Sequence, residues 1–191
     1  MAISPITKLQ AVNRMLSSIG ETAVVSIPST RPDASLAETE LDNISRDVQQ
    51  EGWHFNTEED VELTPIANEI AVPSDALRID PCNASVDYVW REGKLYDREN
   101  NTFTITSSVK VNIVRGLDFE DMPEAARQYI HVRAARSFQD KQLGATDLHG
   151  YQATDEMRSR VELEDADCEM RDGNAMLNRS TIEVMLDREE W

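Results

Sequence analysis

Three adjacent carboxylates, Glu58, Glu59 and Asp60, follow Trp53-His54-Phe55 and are the chain's strongest candidate for acid–base chemistry. A carboxyl group held against an aromatic wall loses solvation of its charged form. It can then keep its proton near neutral pH, as the acid of a glycosidase must. The competing account is a polar turn whose carboxylates are simply solvated. With 36 acidic residues in the chain, such a run arises without any catalytic role. Other chemistry lacks its residues. His54, His131 and His149 have no partner at metal-ligand spacing, and Cys82 and Cys168 form no CxxC pair. No GxGxxG, GxxxxGK[ST] or GxSxG run occurs, so nucleotide phosphates and an esterase-type serine lack their usual cradles. Neither Asp-Val-Glu nor Asp-Ala-Asp completes a calcium loop. No cofactor is expected.

Arg127, Arg133 and Arg136 form the one cationic series, in a stretch where strand-type alternation gives way to helical spacing. In so acidic a chain, ion pairs within or between subunits are the expected use. Just ahead of them, Asp121 is placed as an N-cap, Pro123 in the first turn, and Glu124 three residues on to complete a capping box. Glu120, Asp121 and Glu124 would then crowd the positive end of that helix's dipole.

The elements that must position these residues follow from periodicity. Ser4-Pro5 supplies a cap and first-turn proline. Leu9, Val12, Leu16 and Ile19, with Met15, make one helical face that Gly20 ends. Residues 21–34 hold two prolines and predict a loop. A second helix follows, capped by Asp33 or by Ser35 with Glu38, burying Ala37, Leu41, Ile44 and Val48 and stopping at Gly52. From Trp53 to Val114 the period falls towards two, with short runs at Val61/Leu63, Ile70/Val72, Leu77/Ile79 and Phe103–Ile105. A hairpin turns at Glu92-Gly93 between Tyr88-Val89-Trp90 and Lys94-Leu95-Tyr96, and a last strand carries Val109, Val111 and Ile113. After the arginine-bearing helix, Gly144 breaks the pattern. A final helix begins between Asp147 and Asp155, buries Met157, Val161 and Cys168 with Leu163 alongside, and stops near Asp172-Gly173. Its outer face is acidic: Glu156, Glu162, Glu164, Asp165, Asp167 and Glu169. The order helix–helix–strands–helix–helix predicts an α+β fold. A four-helix bundle (residues 1–53 and 117–173) carries an inserted antiparallel β lobe (54–116) and an extended tail (174–191).

Composition bounds the function. The 191 residues carry 36 acidic and 19 basic side chains, a net charge of −17, with 40% hydrophobic residues to build a core. That balance argues against a nucleic-acid reader, which needs a cationic footprint, and against an anionic membrane surface. No secretion signal or membrane-length apolar run is read, so both thiols are expected free in a reducing compartment.

Collinear segments over residues 9–145 resemble the tail tubular protein A family of short-tailed bacteriophages, adaptor proteins that sit below the portal. They include Ala11-Val12-Asn13 with Leu16, Ser18-Ile19-Gly20-Glu21, Gly52-Trp53-His54-Phe55-Asn56 with Glu58-Glu59, and Arg91-Glu92-Gly93 with Tyr96-Asp97-Arg98. Val111-Asn112-Ile113, Asp118, Glu120-Asp121-Met122-Pro123-Glu124, Arg127-Gln128-Tyr129-Ile130, Ala134-Ala135-Arg136, Phe138 and Gly144-Ala145 continue the series. The resemblance implies a non-enzymatic virion tail protein that assembles as a dodecameric ring with copies of itself. The ring's partners would be the portal, the nozzle (tail tubular protein B) and the tail fibre, and DNA would pass through without specific binding. An acidic bore would repel the phosphate backbone. Its lining is expected from Glu162, Glu164, Asp165 and Asp167, or from residues 31–62, with 10 acidic against 2 basic side chains. Glu120, Arg127, Arg133, Arg136 and Trp191 are the expected interface residues, and the apolar side chains of Met176–Trp191 are expected to dock on a neighbour. The rival from another class is a virion-associated peptidoglycan hydrolase using the carboxylates at 58–60.

Overall fold

The computed structural model describes residues 4–83, 85–143 and 149–175. Helix α1 spans Lys8–Ser18 and is started by Thr7, not by Ser4-Pro5: the Thr7 hydroxyl accepts from Gln10 N–H while Gln10 reaches back to Thr7 N–H. This Thr-x-x-Gln box was present in the sequence, and it wins because it satisfies two orphan amides at once. At the other end Gly20 takes φ +82°, and the Gly20 and Glu21 amides return to Ser17 and Leu16 carbonyls in a Schellman closure. Helix α2 covers Pro32–Gln50, four residues earlier than a Ser35 cap would allow. Arg31 precedes it without a side-chain cap, Pro32 fills the first position and Asp33 lies in the first turn.

Helix α3 (Glu124–Leu143) packs against both, and α4 (His149–Ala175) lies along α3. Val12, Met15, Leu16, Leu41, Val48, Ile130 and Phe138 are the bulk of this core, closed by Trp53, Phe119 and Met122 and joined from α4 by Leu163. Each large apolar side chain removed from water there contributes about 1.5–3 kcal/mol.

The lobe has its own core. Strands β1 (Thr57–Leu63), β2 (Ala76–Pro81) and β5 (Val109–Arg115) form an antiparallel sheet in the order β1-β5-β2. Strands β3 (Tyr88–Arg91) and β4 (Lys94–Asp97) form a separate hairpin. Its turn residues Glu92 (φ +51°) and Gly93 (φ +74°) both take the left-handed conformation that a two-residue hairpin turn with the native twist requires. Val109, Val111 and Ile113 alternate inward and meet Ile70, Val72, Ala76, Leu95 and Ile105. Two expected strands are absent as such. Residues 70–72 run beside β4 with isolated pairings, and Ile105 hangs from the Asn68 carbonyl (2.8 Å) outside any ladder. Both segments still bury their apolar side chains, which is all that their short alternation required. The α+β class is as expected: helices and antiparallel sheets, with separate cores.

The chain passes between the two cores at residues 52–57 and again at 115–117. Gly52 takes φ +84°, a conformation that demands glycine, and a Cβ there would also come within 2.7 Å of the movable Arg78 Nη2 and 3.2 Å of Val114 Cγ2.

Candidate functional site

The acidic run at 58–60 does not form a glycosidase acid. Strand β1 bulges between Glu58 and Val61, Asp60 takes φ +56°, and its amide is held by Asn112 Oδ1 at 3.2 Å. All three carboxylates are exposed, and Glu58 pairs with Arg115 Nε at 2.7 Å. The aromatic wall faces elsewhere: Trp53 is buried in the helical core and donates its indole N–H to the Val48 carbonyl at 2.8 Å. Among the described residues no group of three His, Cys, Asp or Glu side chains is placed to hold a metal ion. A cleft of about 430 Å³ between α2 and residues 116–120 is lined by charges of both signs: Lys8, Arg46, Asp42, Asp118 and Glu120. It offers no activated nucleophile.

The expected capping box at Asp121 and Glu124 is also replaced. Residues Phe119–Asp121 form a 3-10 turn with Asp121 N–H bonded to the Asp118 carbonyl at 3.0 Å, which buries Phe119 and Met122. Pro123 lies just ahead of α3 and its carbonyl takes the first helical bond, from Arg127 N–H. The carboxylates serve a different helix. Glu124 Oε2 accepts from Ile6 N–H (2.9 Å) and Glu120 Oε1 from Lys8 N–H (3.0 Å), so both sit at the positive end of α1. Arg127 completes this clasp by donating to the carbonyls of Met122 (2.7 Å), Ile6 (3.1 Å) and Glu120. Glu120 and Arg127, expected at a subunit boundary, therefore tie α1 to the start of α3 within one chain.

Arg133 and Arg136 likewise find their partners inside the chain, and in doing so they decide how α4 lies. Arg136 Nε meets Glu156 Oε2 at 2.7 Å, and Arg133 lies 4.0 Å from Glu156 and 3.9 Å from Glu51. Arg160 reaches from α4 to Glu51 (2.9 Å), the Tyr129 hydroxyl (3.3 Å) and Glu164 (2.8 Å), with its guanidinium 5.8 Å from the Trp53 and Tyr129 ring centres. The bonds to Glu51 and then Tyr129 hold it above even the usual arginine range. Further along, Asp167 accepts from His54 N–H at 2.6 Å and pairs with Arg171 at 3.1 Å.

This ionic seat reverses the expected face of α4. Ser159, Leu163 and Asp167 are buried, whereas Met157 is 71% and Val161 46% exposed and Cys168 is exposed. The helix is turned roughly a third of a turn from the face its apolar spacing predicts. Two terms compete: this seating pairs Arg133 and Arg136 with Glu156, adds the Arg160–Glu51 pair and buries Leu163, while part-exposing Met157 and Val161 forfeits about 1–2 kcal/mol each. Asp167, expected on an open acidic face, is corrected to an inward position at 6% exposure, and Glu156 also turns inward. Glu162, Glu164 and Asp165 remain exposed, Glu164 paired with Arg160. Trp191 and the apolar residues of Met176–Trp191 lie outside the described residues. The arginine–carboxylate complementarity of α3 and α4 was visible in the sequence, but nothing there told which of two competing faces would win.

A helical unit and a strand lobe carry charge networks and an outward apolar stripe, with the candidate catalytic carboxylates dispersed to the surface. These are features of packing and ion pairing, and the class of the protein comes from its relatives. The comparisons with known proteins give the class its name: the chain belongs to the tail tubular protein family, whose model matches residues 9–173. It is 36% identical over 124 residues to Tail tubular protein A of Klebsiella phage KP34, a match covering 64% of this chain and 66% of that relative, just under two thirds of its length. It is thus a structural component of a phage tail, in line with the resemblance carried by residues 9–145. No described helix is long and apolar enough to cross a membrane.

Proposed function

We propose that the chain is a ring-forming adaptor of a short-tailed phage, seated between portal and tail nozzle, with DNA leaving through its bore. The observation that carries this reading is the inverted helix α4: its inner face is ionic and its outer face displays Met157, Val161 and Cys168 to solvent. An apolar stripe left open by a chain that had alternatives is a surface waiting for another chain. On the same helix Glu162 stands about a third of a turn away from that stripe, while Asp165, four residues after Val161 and three before Cys168, borders it. In this reading the stripe meets a neighbouring copy while those carboxylates line the bore and repel phosphate. The helical unit (1–53 and 117–173) forms the ring, the lobe (54–116) points towards nozzle and fibre, and residues 174–191 add contacts to a neighbour or the portal. The acidic charge then keeps DNA sliding instead of bound.

The test is electron microscopy of the full chain mixed with its portal protein, with sedimentation run in parallel. The wild type should cap the portal as rings. Met157→Asp combined with Val161→Asp should keep its circular dichroism yet sediment as a smaller species and leave the portal bare. Undiminished capping by the double variant would sink the stripe as the subunit contact. Glu162→Gln with Asp165→Asn should cap normally but retain DNA at low salt, and unchanged retention would remove these residues from the bore.

A further inference from the structure

The two passages between helical unit and lobe are bound to each other by two buried side-chain amides, Gln49 and Asn56, each 3% exposed. Gln49 Oε1 accepts from Leu117 N–H at 2.6 Å, and its Nε2 donates to the Leu117 carbonyl at 3.1 Å and to Ser45 Oγ at 3.0 Å. Asn56 Nδ2 donates to the Gln49 carbonyl (2.9 Å) and to the Arg115 carbonyl (2.8 Å), while its Oδ1 accepts from Trp53 N–H (2.9 Å). One amide thus reads the outgoing strand and the other reads both strands and the helix they leave. A third element holds the same place: α4 grips His54 N–H through Asp167, whose other oxygen is occupied by Arg171. On the lobe side Arg115 is pinned by Glu58 and Asp75, both at 2.7 Å.

We infer that Gln49, Asn56 and Asp167 form a latch that makes lobe orientation depend on the seating of α4. With the latch closed, lobe and helical unit open and close as one body. Displacing α4 withdraws Asp167 from His54 N–H and loosens the residue 53–56 turn that presents Asn56, so the lobe opens on its own while the helical core stays intact. In the latch three elements share one junction, and a junction that opens and closes in this way couples distant surfaces. It uses only contacts within one chain and stands whether or not the chain forms a ring. Its consequence for a tail protein is directional: whatever engages the outer face of α4 alters the freedom of the lobe, and the lobe's occupant alters the seating of α4 by the same factor.

Hydrogen exchange on the full chain tests it. In the wild type the β5 amides of Val111 and Ile113 should share the protection of the helical-core amides of Leu41 and Ile130. In Asn56→Ala the β5 amides should exchange about tenfold faster or more, with the helical amides changed by less than about twofold, because only the junction loses its bonds. Asn56→Ser, too short to reach the Gln49 and Arg115 carbonyls, removes both donated bonds with a smaller change and serves if the alanine variant does not fold. Asp167→Ala, which touches the lobe only at the junction residue His54, should speed β5 exchange about threefold. Equal acceleration of both cores in the Asn56 variants would reduce the amides to general stabilisers and overturn the latch. Acceleration confined to α4 in Asp167→Ala would overturn the coupling.

Discussion

Helix α3 has two flanks, and they are held by different forces. Towards α1 and α2 it presents Ala126, Ile130, Ala134 and Phe138, all buried in the larger apolar core. Towards α4 it presents Tyr129, Arg133 and Arg136, which meet Glu156 and Arg160. Apolar burial is non-directional and indifferent to dilute salt, whereas ion pairs are directional and screened within about 10 Å at 0.1 M salt. The difference predicts that α1–α3 form the more permanent body and that α4, anchored in the core by Leu163, is the helix most readily displaced. The apolar flank is the place to break the fold outright. Phe138→Ala empties a site of 2% exposure and should cost about 3–5 kcal/mol in urea unfolding, much of the margin of a chain this size. A loss under about 1 kcal/mol would mean that the α1–α2 flank is not the anchor.

Acid sharpens the contrast, because beside the Glu40–Lys141 pair (2.6 Å) the apolar flank contains a titratable weakness. His131 lies on α3 with its Nδ1 buried and unpartnered. Burial, reinforced by the nearby Arg14 charge, pushes its pKa down to about 4. The folded state therefore disfavours the proton that the unfolded state binds near pH 6.5. Stability from this group is complete above that value and is lost as pH falls towards 4. Over that window the loss should reach about 2–3 kcal/mol. Thermal or urea unfolding at stepwise pH should show a shallower acid slope in His131→Phe than in the wild type between pH 6.5 and 4.5. Superimposable slopes would assign the acid sensitivity to carboxylates alone.

The same contrast explains what could be foreseen from the chain and what could not. Helix positions, the Glu92-Gly93 hairpin, the Gly20 and Gly52 stops and the alternation of β5 are local, and local periodicity and turn chemistry express them directly. The caps were harder. Glu124 stands at the right offset to serve Asp121, yet it serves Ile6, 118 positions away, and no local rule prefers the distant amide. The α4 face failed for a related reason. Met157, Val161 and Cys168 have proper helical spacing, but the competing set Glu156, Arg160, Leu163 and Asp167 has it too. The choice was made by arginines on α3 and by Glu51 at the end of α2. Carboxylates at 58–60 looked poised only because Trp53 is near in sequence; in space the ring turns into the other core.

The smallest effect is also the most specific to the ionic flank. Glu156 has a side chain 16% exposed and is the shared partner of Arg133 and Arg136, so Glu156→Gln keeps its volume while removing the charge that both need. The expected cost is about 1–2 kcal/mol, less than for Phe138→Ala, because Glu51 still neighbours Arg133 and Leu163 still plugs the core. The location of the loss matters more than its size. Exchange of α4 amides should accelerate while α1 and α2 amides hold. Raising salt from 50 to 500 mM, which shortens the screening length from about 14 Å to about 4 Å, should accelerate α4 in the wild type and do little in the variant, whose seat is already broken. If α4 stays protected in both, Leu163 alone holds the helix and α4 belongs to the permanent body. If salt loosens α1 and α2 as much as α4, the two flanks of α3 do not differ in kind.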